Sequence, residues 1–243
     1  MSEVILVAGD LRQKAYDWIQ GRIVSGALGA GQQVSELSLA KEVGLSRTPV
    51  REAIRKLVHE GLLEQVPRLG TVVRTPARRD IVELYELREA LESYAVGLAA
   101  ERIGPDDLAQ LDQCCTAMRK IEQQLRRTGK VLHGEGMSRF LSADLAFHMT
   151  LLRAAGNARI LKIVAESRVL TRIFGTRRQE HDARVVEEAR RYHQRVLLAL
   201  KRGDAAAAQR ILGEHIRHSK QSALENFDRP RLDEAALLSL SRA

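Results

Sequence analysis

The 243-residue chain has no apolar run near the ~20 residues a membrane-spanning helix needs. Residues 4–8 are apolar, but the stretch is too short and no basic segment precedes it, so it is not read as a signal peptide. A cytoplasmic protein is expected. Cysteine is nearly absent: Cys114 and Cys115 are adjacent on an expected helix. Neighbours on one helix are poorly placed for a disulfide, and two thiols alone make a poor zinc site. Packing in a core is their expected role. The five prolines all fall at breaks: Pro49 and Pro105 in first turns, Pro67 in a turn, Pro76 in a linker and Pro230 near the end. No internal repeat is found, and no β-alternating run stands out beyond residue 75.

Charge is present but spread. The formal net charge is +8, yet residues 1–75 hold ten Lys/Arg against eight Asp/Glu. Overall charge is therefore weak evidence for nucleic acid. The local excess is sharper: between residues 47 and 59, Arg47, Arg51, Arg55 and Lys56 face one acid, Glu52.

That segment is the most informative in the chain. Leu39, Ala40 and Val43 give a short helix an apolar stripe, and Gly44 sits where a helix C-terminus favours positive φ. Ser46 or Thr48 can cap the next helix. Val50, Ile54, Leu57 and Val58 then line one side at helical spacing, and Arg47, Arg51 and Arg55 the other. Arginines on an exposed face are often merely solvated, but guanidinium forks also match phosphates and guanine edges. Upstream, Asp10 can cap a helix over 11–24, with Leu11, Ala15, Ile19 and Ile23 on one face. Downstream, residues 62–66 and 71–74 are β-prone, with Pro67-Arg68-Leu69-Gly70 as a hairpin loop between them. Three helices plus a hairpin make a winged helix-turn-helix, with Arg68 at the wing tip to reach a phosphate or the minor groove.

The runs Leu39-Ala40, Gly44 to Ala53 and Gly70-Thr71-Val72-Val73 resemble the winged-helix domain of GntR-family bacterial transcription regulators. The resemblance implies that Arg47, Thr48 and Arg51 contact DNA and that Gly70 lets the wing approach the backbone. Some members carry an arginine near the position of Leu37, and leucine cannot make that contact.

The expected organisation is a winged domain over 1–75, a linker over 76–81, an all-helical domain over 82–228 and a disordered tail over 229–243. Helices are expected over 79–102, 105–127, 138–155, 158–180, 182–202 and 204–227, forming an antiparallel bundle. The fold class is thus mainly α.

Four polar residues interrupt the apolar stripes of these helices. Asp144 and His148 are one turn apart beside Leu141, Leu145 and Leu152. His193 lies with Val196 and Leu200, and His215 with Ile211 and Leu212. One inward histidine usually just finds a hydrogen bond, but four inward polar groups are expensive to bury without a partner. A divalent metal is the economical solution: zinc first, with nickel, manganese or iron as alternatives. His133, His59 and His181 are assigned to loops or polar faces, and His218 to a polar edge.

Leu84 to Arg88, Leu91-Glu92, Asp144 to His148, Gly156-Asn157 and Tyr192-His193 resemble the FCD ligand-binding domain of the FadR-type branch of the same family. The resemblance implies that Asp144, His148, His193 and His215 ligate a metal that helps hold a small organic acid. Arg88, Arg139 and Asn157 are the candidate effector contacts, although each also has an ordinary reading as a surface arginine or a helix cap. The preferred function is a non-enzymatic transcription regulator, most readily a repressor. It would bind a palindromic DNA operator as a homodimer and respond to a small carboxylate or sugar acid. The alternatives are a metalloenzyme using the three histidines and Asp144, or a DNA-binding protein with a purely structural bundle.

Overall fold

Helix α1 covers Ser2–Val24 in the computed structural model, which describes residues 2–175 and 181–228, with side chains from 10 to 171 and 181 to 228. The helix continues through Asp10, so the expected cap there is not formed. Ala15, Ile19 and Ile23 are buried, and Trp18 borders them half-buried. The chain divides into two compact units, one holding Met1–Ala77 and the other starting at Arg78.

In the first unit, α2 (Glu36–Val43) is capped by Ser35, whose side chain accepts from the Ser38 amide, and ends on Gly44 at φ 70°. Only a residue that tolerates the left-handed region closes a helix this way without strain. Helix α3 (Arg47–His59) follows, buried at Val50, Ala53, Ile54 and Leu57. Ser46 is its N-cap by backbone, but its side chain makes no capping bond. Strands β1 (Leu63–Val66) and β2 (Gly70–Val73) pair antiparallel, with Leu63 opposite Val73 and Val66 opposite Gly70. Beside β2 the preceding loop adds one isolated antiparallel bridge. Gln33 bridges Val72, and the Val34 amide donates to the Thr71 carbonyl at 2.8 Å.

The remaining helices are α4 (Arg78–Arg102), α5 (Pro105–Thr128), α6 (Gly134–Ala154), α7 (Ala158–Gly175), α8 (Ala183–Lys201) and α9 (Ala205–Asp228), and they lie in the second unit, α7 up to Thr171. Helix α4 starts inside the stretch expected as linker. Helix α6 starts four residues before the expected Ser138, taking Gly134 and Gly136 into its first turn, where glycine costs little. The expected end of α7 beyond Gly175, and the tail from residue 229, lie outside the described residues. Ion pairs Arg78–Asp228 and Lys220–Glu86 run α4 and α9 in opposite directions. Arg126–Glu187 and Lys201–Asp112 do the same for α5 and α8. The core between them is built on Val96, Leu111, Phe147, Val196, Leu212 and Ile216. Cys114 and Cys115 are buried in it, and burial pushes the Cys115 thiol up to about 12, so it stays a neutral packing group. No helix among the described residues is long and apolar enough to cross a membrane.

Candidate DNA-binding and metal-binding sites

The exposed side of α3 carries Arg47, Thr48, Arg51 and Arg55, because the apolar residues between them are committed to the core. Glu36, on the first turn of α2, holds two of these arginines. Its carboxylate accepts from Arg51 Nε at 3.2 Å and from Arg47 Nη2 at 3.5 Å. The Arg51 contact is made through Nε, to both Glu36 oxygens. Lys56 turns away from the patch, lying 4.0 Å from the Tyr16 ring centroid and 3.8 Å from Glu60. At the wing, Arg68 is exposed and itself adopts φ 69°, and Gly70 follows at φ 80°. Gln33 Nε2 donates to the Leu69 carbonyl at 2.6 Å and so tethers the tip. Leu37 is 67% exposed, next to the Glu36 that holds the arginines.

In the second unit, Asp144 and His148 of α6, His193 of α8 and His215 of α9 converge. One ligand atom from each lies within 4.8 Å of all the others. His193 Nε2 is 3.2 Å from His215 Nε2 and 3.5 Å from Asp144 Oδ1, and His148 Nε2 is 3.7 Å from that same oxygen. Metal–ligand bonds of about 2.0–2.2 Å place neighbouring ligand atoms roughly 3–3.6 Å apart, so the spacing suits one small cation. His148 Nε2 is buried with no hydrogen-bond partner among the described residues. Phe147 stacks on the His193 ring at 4.1 Å between centroids and fixes its plane.

A family model described as bacterial regulatory proteins, gntR family, matches residues 11–73, and the FCD domain model matches residues 83–218. The chain belongs to the GntR family and carries an FCD domain. It is similar to the "Probable D-xylose utilization operon transcriptional repressor" of Paenarthrobacter nicotinovorans, at 30% identity over 200 residues, covering 82% of this chain and 83% of that one. It is also similar to the gluconate operon transcriptional repressor of Bacillus subtilis (strain 168), at 30% over 200 residues, covering 79% and 76%. The structure of E. coli McbR/YncC superposes with a TM-score of 0.75 at 22% identity, covering 90% of this chain and 99% of that chain, which supports the fold. This GntR-family protein is a DNA-binding transcription regulator.

The structure separates the three expected effector contacts of this regulator. Arg88 is buried, and its Nε donates to Glu92 at 2.8 Å. Arg139 is not brought to the cluster: it is exposed and paired with Glu135 one turn away. Asn157 caps α7, its Oδ1 accepting from the Arg159 and Ile160 amides at 3.1 Å each. Two residues missed in the sequence border the four candidate ligands. Glu92 Oε2 lies 2.6 Å from His148 Nδ1, and Arg168 donates to Asp144 Oδ2 at 3.1 Å and to both Glu92 oxygens. His181, assigned to a loop or polar face, is instead buried, with its ring 5.3 Å from that of Phe140.

Burial sets the charge state of the cluster. It pulls His193 down to about 3, with the neighbouring His148 and Arg168 adding to it and Asp144 opposing. Burial likewise lowers His148, helped by Arg168, and takes His215 well down, helped by His193 and His148. Burial opposes the Asp144 carboxylate, but His148 and Arg168 outweigh it and hold it well below the usual range. Near neutrality the cluster is therefore three neutral imidazoles and one carboxylate, the forms that bind a cation.

The same shifts predict an acid-sensitive fold. The unfolded chain protonates its histidines below about pH 6.5, while the folded chain leaves these three neutral down to lower pH. The folded state then binds fewer protons, so stability falls as pH drops from about 6.5, at up to ~1.4 kcal/mol per pH unit for each histidine. Thermal unfolding followed by circular dichroism with a chelator present, from pH 7.5 to pH 5, should show a falling midpoint. A flat profile would show that the three rings titrate normally.

Proposed function

We propose that this regulator is a repressor whose grip on a palindromic operator is controlled by a small carboxylate or sugar acid. The effector would bind at a divalent metal, zinc first, held by Asp144, His148, His193 and His215. The observation that carries the reading is this convergence of neutral imidazole nitrogens and one carboxylate inside the FCD unit. The D-xylose and gluconate operons named for two relatives fit a sugar-derived effector. When bound, the metal would supply a Lewis-acid anchor for an effector oxygen. The chain's part is to keep the imidazoles neutral and the surroundings dry. In the winged unit, Arg47, Thr48, Arg51 and Arg55 would enter the major groove, with Arg68 and Gly70 against the adjacent backbone.

Operator symmetry calls for a homodimer. Helix α4 offers a face for it: Leu87 and Tyr94, two turns apart, are 40% and 54% exposed, with half-buried Leu91 and Leu98 continuing the stripe. A water-facing apolar stripe of this kind is typical of an interface. Linkage then requires operator and effector to change each other's affinity by the same factor.

The test is fluorescence anisotropy with operator DNA selected from a random pool, with and without sugar acids and mono- and dicarboxylates. Two chains per palindromic duplex and weakening by one of these acids are expected. Equal affinity for selected and random duplex would sink the DNA reading. An operator affinity unmoved by every acid would sink effector control.

A further inference from the structure

Glu92 lies outside the four ligands, yet it is 2% exposed and closes a circuit around two of them. Its Oε1 accepts from Arg88 Nε at 2.8 Å and Arg168 Nε at 3.2 Å. Its Oε2 accepts from Arg168 Nη2 at 3.1 Å and meets His148 Nδ1 at 2.6 Å. Three guanidinium N–H groups and one imidazole nitrogen thus fill the roughly four acceptor sites of one carboxylate. No place is left for a carboxyl proton, so the hydrogen in the contact with His148 belongs to Nδ1.

We infer that Glu92 is a positioning residue for the metal site: it locks His148 in the Nδ1–H tautomer and aims the free Nε2 lone pair at the ligand cluster. A neutral imidazole carries one proton. Were it on Nε2, the ring would point a donor at the place a cation must occupy. The geometry agrees, because Nε2 is the atom that faces Asp144 Oδ1 and has no hydrogen-bond partner among the described residues. Arg168 extends the control to a second ligand. By holding Asp144 Oδ2 at 3.1 Å it turns Oδ1 inward, toward His148 and His193. One carboxylate from α4 and one guanidinium from α7 therefore orient two ligands on α6. Partners of metal-bound histidines commonly act this way, and their loss lowers metal affinity about 10–100-fold.

The inference rests on the metal reading above, and its test separates the two. Zinc affinity is measured on the full chain by chelator competition, and cobalt is loaded to read the ligand field from its visible spectrum. Glu92→Gln keeps the shape and one carbonyl acceptor, and is expected to weaken zinc about tenfold. Glu92→Ala is expected to weaken it about a hundredfold and to alter the cobalt spectrum. A merely structural role for Glu92 would lower the melting temperature and leave the affinity and spectrum of the folded protein unchanged. That result overturns the inference. Where Glu92→Ala fails to fold, nitrogen-detected NMR of wild-type histidine rings without metal decides. His148 protonated on Nδ1 supports the inference, and His148 protonated on Nε2 overturns it. A wild-type chain that takes up neither zinc nor cobalt overturns the metal reading itself, and this inference with it.

Discussion

Zinc added to the metal-free protein is expected to raise the melting temperature of the FCD unit by about 10 °C, and Asp144→Ala or His193→Ala to abolish that rise. The size follows from linkage. A ligand bound only by the folded state stabilises it by about 4 kcal/mol when its free concentration is a thousand times its dissociation constant. In a unit of this size each kcal/mol moves the midpoint by roughly 2–4 °C. The two substitutions reach the same end by different routes. Asp144→Ala removes the one anionic ligand and frees Arg168, which retains Glu92 as partner. His193→Ala removes an imidazole nitrogen and the ring that Phe147 stacks upon, so it also lowers the metal-free midpoint. Differential scanning calorimetry with and without zinc separates these contributions. A zinc-induced rise that survives both substitutions would place the metal elsewhere.

The convergence of the four candidate ligands was legible because each is a polar residue at a position where helical period demands an apolar one. Asp144, His148, His193 and His215 break the stripes of three helices, and the structure brings all four together. Glu92 and Arg88 carry no such mark. They form an i, i+4 pair, the same pattern as Arg79 and Glu83, yet the first pair is almost fully buried and the second is exposed. Sequence spacing cannot tell a solvated ion pair from a buried one. Only the arrival of Arg168 from α7 and His148 from α6 distinguishes them. The same limit hid the edge pairing of Gln33 with Val72, because a backbone ladder between distant residues leaves no side-chain signature. The arginine face of α3 was legible for the reverse reason: Val50, Ile54 and Leu57 leave it only one way to face. Glu36, which holds Arg47 and Arg51, lies on the preceding helix and outside any local period. Asp10 shows that a good N-capping residue does not start a helix when the segment before it is also helical.

Arg51→Ala is expected to weaken operator binding by about 1–3 kcal/mol, roughly 5–150-fold, and to flatten discrimination at one base pair. In the free chain Glu36 engages Arg51 through Nε, and base reading would use the two terminal nitrogens as a fork. A fork reads guanine through paired bonds to O6 and N7, and the ammonium of lysine cannot reproduce that geometry. Arg51→Lys should therefore recover little. Arg68, at the wing tip, belongs to the other class. Arg68→Ala should weaken selected and random DNA alike and reduce the slope of log affinity against log salt by about one. Anisotropy titrations at several salt concentrations, on the selected operator and on single-base variants, separate the two kinds of loss. Equal loss on operator and random duplex for Arg51→Ala, with the slope falling as for Arg68→Ala, would make Arg51 a phosphate contact. Base reading would then pass to Arg47, Thr48 and Arg55. Glu36→Gln supplies the final discrimination. If the carboxylate orients the fork, its loss should raise affinity for random DNA by removing a negative charge near the phosphates and lower the ratio between operator and random duplex.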